Sequence, residues 1–141
     1  MAELVSSEFA ESLVSTSRVT VGDTLRSVIY FTPEDFEVLY VRSDLYGGDE
    51  DLMHEAKLTM VESERVGFQE TEGYNKQSQT GTSVEPTVGE YEFTVRVFSE
   101  GFISRVIVGD RGVIVTSDEI EIGPFEDMSV AIRKMLAEPH V

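Results

Sequence analysis

EYEFTVRVFSEGFISRVIVGDRGVIVT, residues 90–116, decides the fold of this chain. Apolar side chains recur at alternate positions on both sides of Glu100-Gly101. That period of two predicts strands over 90–98 and 102–108 folded back as a hairpin. With Glu100 and Gly101 as the turn residues, Phe98 faces Ile103, Val97 faces Ser104 and Arg96 faces Arg105. Phe93, Val95, Val97, Val106 and Val108 then share one apolar face, which supports that register. Gly109-Asp110-Arg111-Gly112 turns the chain again, into a strand over 113–116 with a short bulged continuation at 120–122. Gly123-Pro124 stops it.

The flanking segments supply the rest of a layered domain. A helix is predicted over 7–17, with Ser6 or Ser7 as cap, Val5 as a staple, and Phe9, Leu13 and Val14 on one stripe. After Gly22-Asp23, residues 24–31 alternate. Leu25, Ile29 and Phe31 point one way, Val28 and Tyr30 the other. Thr32-Pro33-Glu34-Asp35 is a turn, because Pro33 presets its own dihedral, and 36–42 is the partner strand. Large apolar residues on both faces of these strands call for helices on both sides of the sheet. Beyond Gly47-Gly48 a second helix starts near Asp49, with Leu52, Met53, Ala56, Met60 and Val61 at helical spacing. Residues 67–89 lose all periodicity and read as a long polar loop. A closing helix covers 125–137, with Met128, Ala131, Ile132, Met135 and Leu136 inward and Pro139 beyond its end. The expected fold class is α+β: one domain over 1–141, with a central antiparallel five-stranded sheet flanked by helices in the order α-β-β-α-β-β-β-α.

Charge bounds the function. The 141 residues carry 27 Asp and Glu against 11 Lys and Arg, a formal net charge of -16. Such a chain could be disordered, could carry an acidic binding tail, or could be adapted to concentrated salt. Disorder is set aside by a hydrophobic content of 40% that includes eight Phe and five Tyr. A tail needs a block of like charge, and the densest run is only Asp49-Glu50-Asp51. Acids spread along a folding chain suit a surface in brine, where self-repulsion is screened. The absence of a Lys/Arg surface argues against nucleic acid and against anionic lipid. No apolar run is long enough for a bilayer and no signal-peptide pattern is present, so a cytoplasmic setting is expected. No cysteine occurs, which excludes disulfides, thiolate chemistry and cysteinyl metal sites.

Few constellations carry chemistry. Arg96 and Arg105, side by side on the hairpin, could hold a phosphate, a carboxylate or a partner's acid. The plainer reading pairs them with acids such as Glu92 or with acids on a covering helix. Tyr40 and Arg42 complete the candidate binding set. Asp44, Asp49 and Asp51 flank the diglycine and are weak candidates for a hard cation. Their spacing is not that of an EF-hand, and a solvated helix start explains them as well. His54, one turn after Glu50, could form an acid–base pair, but a lone helical histidine beside carboxylates is usually a surface residue. His140 lies at the terminus. Tyr30, Tyr40, Tyr46 and Tyr74 could line a pocket or simply pack with wet hydroxyls. There is no nucleophile elbow, Walker loop or dinucleotide fingerprint, so the reading leans away from an enzyme, and no cofactor is expected.

An antiparallel sheet between helical layers in this order resembles the profilin-like group, particularly roadblock and longin domains, and in outline the PAS and GAF sensors. Tyr40-Val41-Arg42-Ser43-Asp44-Leu45 and Val108-Gly109-Asp110-Arg111-Gly112-Val113, together with the acidity, are similar to a family of uncharacterised haloarchaeal proteins. The roadblock resemblance implies a non-enzymatic regulatory or scaffold domain that pairs with a partner or a second copy through an edge strand and the central helix, here 90–98 and 49–61. The alternative is a PAS- or GAF-like sensor of a small anion, with Arg96 and Arg105 as anchor and 67–89 as lid. An enzyme using a carboxylate or His54 comes third.

Overall fold

A computed structural model describes residues 4–80 and 89–138. Its elements are α1 (Ser7–Val21), β1 (Leu25–Phe31), β2 (Phe36–Val41), α2 (Glu50–Glu64), α3 (Val66–Thr80), β3 (Thr94–Phe98), β4 (Gly101–Val108), β5 (Arg111–Ser117) and α4 (Ile122–Ala137). The five strands form one antiparallel sheet in the order β2-β1-β5-β4-β3. The expected α+β class, the five-stranded antiparallel sheet and the order of elements along the chain therefore hold, with α3 as an added helix.

Each face of the sheet is covered. On one, Phe9 and Leu13 of α1 and Phe125, Met128, Ile132 and Leu136 of α4 bury against Val28, Tyr30, Val106, Val113 and Val115. On the other, Val61, Met60 and Phe68 of α2 and α3 meet a smaller apolar set built on Ile29, Phe31, Ile107 and Ile114. This second face also buries Lys57, Glu64 and Arg105, groups that are rarely enclosed without a partner or a purpose.

Local chemistry explains most boundaries. The Ser6 hydroxyl accepts from the Phe9 amide at 3.1 Å and caps α1. The helix runs on past Ser17 because the Ser17 and Thr20 hydroxyls turn back onto the carbonyls of Leu13 and Thr16 instead of competing with the helix. In the turn after β1, the Thr32 hydroxyl accepts from the Asp35 amide at 3.0 Å.

Five expectations need correction. Leu25 belongs with Val28 and Tyr30, not with Ile29 and Phe31, because the pairing of β1 with β5 slips between Leu25 and Ser27 and the bulge turns Leu25 to the other face. The β3–β4 hairpin pairs Phe98 with Gly101, Arg96 with Ile103 and Thr94 with Arg105, so its turn is Ser99-Glu100. Gly101 is not in the left-handed region; its missing Cβ instead leaves room for the Ser117 carbonyl of β5. The slip is two residues, so every side chain keeps its face. Residues 67–80 are helical, not loop, and 81–88 of the expected loop lie outside the described residues. Leu52 is exposed, and the inward positions of α2 are Lys57, Val61 and Glu64. Finally, 120–122 adds no strand. Instead α4 begins at Ile122 and takes Pro124 into its first turn, where a missing N–H costs nothing.

Candidate functional site

Lys57, Val61 and Glu64 recur at the spacing of one helix face, so α2 presses a cation, a valine and an acid onto the second face of the sheet. At the Glu64 end the charges are matched. Arg105 donates to Glu64 Oε1 at 3.0 Å, to Glu70 of α3 at 3.1 Å and to the Thr94 hydroxyl at 3.0 Å. Arg96 donates to the other Glu64 oxygen at 2.7 Å. Burial opposes the Arg105 charge, yet Tyr91, Glu64 and Glu70 outweigh it and hold its pKa above the usual value. A Cβ at Gly67 would overlap the Arg105 guanidinium, so the start of α3 is shaped around this ion cluster.

At the Lys57 end the charge is not matched. Lys57 is 2% exposed. Its ammonium donates to Ser27 Oγ at 3.0 Å and lies 5.4 Å from the Tyr46 ring centre, and no ion pair to it is found among the described residues. Burial first, and the Arg26 charge second, push its pKa down to about 8. Ser27 and Thr116, facing one another on β1 and β5, share a hydrogen bond of 2.5 Å. Lys57, Thr116 and Arg26 border a cavity of about 330 Å³, a size in the small-molecule range. Met60, Phe98, Phe102 and Ile103 supply apolar wall, the exposed Glu100 is at the rim, and Leu45, Tyr46, Ser99 and Gly101 complete the lining. Tyr46, Gly47 and Gly48 are all left-handed, with φ of 60°, 57° and 82°. For Tyr46 that conformation costs about 1 kcal/mol, and it leaves the ring beside Lys57.

The residues singled out from sequence do not converge. Arg96 and Arg105 are joined through Glu64, so the helix-acid reading of that pair describes them; Glu92 stands instead 4.0 Å from Arg133. Arg42 directly follows β2, at the opposite edge of the sheet, where it binds Asp44 and Asp118 at 2.6 Å each. Those hydrogen bonds hold both carboxyls below their usual range and raise Arg42. Asp118 is shared with Arg26 at 2.8 Å, so the two arginines and two aspartates form one network of balanced charge beside the cavity. Tyr40 packs toward α1, under Arg18. Asp49 caps α2 by accepting from the Leu52 amide at 3.0 Å, and Asp51 is exposed in its first turn. Among the described residues no three carboxylate or histidine side chains are grouped to hold a metal ion. His54 is exposed and stacks on Phe36, outside the cavity lining. His140 lies outside the described residues. Of the four tyrosines only Tyr46 lines the cavity; Tyr30 is core and Tyr74 is exposed. No helix among the described residues is long and apolar enough to cross a membrane.

A family model described as a domain of unknown function, DUF7522, matches residues 11–137. The chain belongs to the DUF7522 family. No curated protein matches it. The match runs from α1 through α4, so both buried cations and the cavity lie inside the DUF7522 domain. Within that domain, Lys57 and Glu64 were missed from sequence, although both were open to detection. On a helix whose stripe includes Met60 and Val61, each falls at an inward position, and a charge on an apolar stripe is the signal.

Proposed function

We propose that this chain is a non-enzymatic, ligand-responsive domain that takes a small anion into the cavity at Lys57. One observation carries the reading: a buried ammonium at the wall of an open cavity, with no acid beside it among the described residues. An uncompensated buried charge costs stability, and a bound anion would compensate it. The sensor reading thus keeps its cavity but changes its anchor, from Arg96 and Arg105 to Lys57. The test is a thermal-shift screen of the whole chain, at fixed KCl, against inorganic and organic anions. At least one should raise the melting temperature of the wild type and leave Lys57→Met unmoved. A screen with no shift for any anion overturns the reading.

The regulatory output is proposed to be pairing with a protein partner or a second copy. Favouring this second reading, β3 is an edge strand, and its Val97 and Phe98 are 74% and 54% exposed. Light scattering of Val97→Glu against wild type checks it, since a charge there should dissociate the pair. The setting is proposed to be a salt-rich cytoplasm. Its support is that Glu64 is the one buried acid among the described residues, so the surplus carboxylates face solvent. Melting in KCl from dilute to multimolar should show stability rising with salt.

A further inference from the structure

The cavity offers more than a counter-charge, and what it offers narrows the ligand. This step rests on the anion reading above. The fixed charges around the cavity are few. Lys57 contributes one positive charge, Arg26 is paired with Asp118, and Glu100 brings a negative charge to the rim. A dianion would leave one charge unmatched and would meet Glu100 on the way in. A monoanion balances Lys57 alone. Beside the ammonium stands a second polar group. When Ser27 donates its proton to Thr116, the Thr116 hydroxyl keeps its own proton for a ligand oxygen. An ammonium and a hydroxyl at one end of a cavity suit the two oxygens of a carboxylate. The remaining wall contributed by Met60, Phe98 and Ile103 is apolar. Chloride or phosphate at Lys57 would leave that wall wet, whereas a hydrocarbon chain or ring would cover it.

We propose that the ligand is an amphipathic monocarboxylate. Its head binds Lys57 and Thr116, and its apolar body lies against Met60, Phe98 and Ile103. Phe98 is 54% exposed on the β3 edge, so a ligand body lying against it covers apolar surface that is wet in the empty cavity.

The experiment is calorimetric titration of the whole chain, at one KCl concentration, with inorganic phosphate, acetate, butanoate, hexanoate and octanoate. Affinity should rise about 3- to 4-fold per methylene until the cavity is full, with phosphate weakest. Lys57→Met should abolish binding of every carboxylate. Phe98→Ser, a change at an exposed edge position, should flatten the chain-length series. If phosphate and acetate bind as tightly as hexanoate and Lys57→Met abolishes both, the amphipathic ligand is wrong and the anion site stands. If nothing binds, or if Lys57→Met binds hexanoate as wild type does, both readings fall together.

Discussion

Lys57 and Arg105 are both 2% exposed, on the same face of the same sheet and beneath the same helix. One is enclosed by its counter-charges and the other is not. Around Arg105, α2 and α3 bring Glu64 and Glu70, β3 brings Thr94, and Gly67 leaves out its side chain to admit the guanidinium. Around Lys57, the described residues bring one hydroxyl, one aromatic ring and an open cavity. Two buried cations can therefore mean different things. A cluster whose charges cancel is explained by the packing that holds it. A lone ammonium is not explained by stability, since a methionine of similar length would pack there at less cost.

The contrast can be broken at either end. The largest effect is expected at Glu64. Glu64→Leu leaves Arg105 buried with only Glu70, itself about half exposed, to answer it, and should destabilise by about 3–5 kcal/mol in denaturant titrations at high salt. A loss below about 1 kcal/mol would mean that the ion cluster does not anchor α2.

Lys57→Met should act in the opposite direction. The folded pKa of Lys57 is lowered, from 10.5 to about 8. Below pH 8 both folded and unfolded chains carry the proton, and the folded one bears the cost of burying it. Between pH 8 and 10.5 the folded chain sheds the proton while the unfolded chain keeps it, so stability rises with pH by up to about 3 kcal/mol. At pH 7 the methionine variant should gain that amount less about 1 kcal/mol for the lost Ser27 hydrogen bond. The wild-type advantage of raising pH should vanish in the variant. Equal pH profiles for the two proteins would place the lysine in a better-solvated site than the structure does.

Arg96 sharpens the comparison with the smallest change. Its side chain is 42% exposed and shares Glu64 with Arg105. Arg96→Met should cost under about 1 kcal/mol, because solvent already screens that arm of the cluster. A larger loss would show that Glu64 needs both guanidinium groups.

Particular elements show where sequence reading stops. The β3–β4 hairpin was legible down to which residues share a face, because faces follow a period of two along a single strand. Its register was off by two, because Gly101 reads as a turn residue and the Ser117 carbonyl it accommodates is on another strand. The helix α3 was hidden because, over 66–74, its inward side chains Phe68 and Thr71 cover less than two turns, while Val66 and Tyr74 are exposed. The site was half legible. The plain reading of Arg96 and Arg105, pairing with helix acids, named the right kind of partner, while Lys57 went unremarked amid a methionine-rich stripe.

By itself, then, the order of residues determined the α+β class, the succession of strands, the Ser6 cap, the turn at 32–35 and which residues of β3 and β4 share a face. All of these depend on neighbours a few positions apart. Only tertiary structure decided which buried charges are answered. Glu64 reaches Arg105 across 41 residues, Lys57 reaches Ser27 across 30, and Ser27 meets Thr116 across 89. No local period encodes such meetings. They follow from how two helices lie on five strands, and that packing closes an acid over one cation and leaves a cavity beside the other.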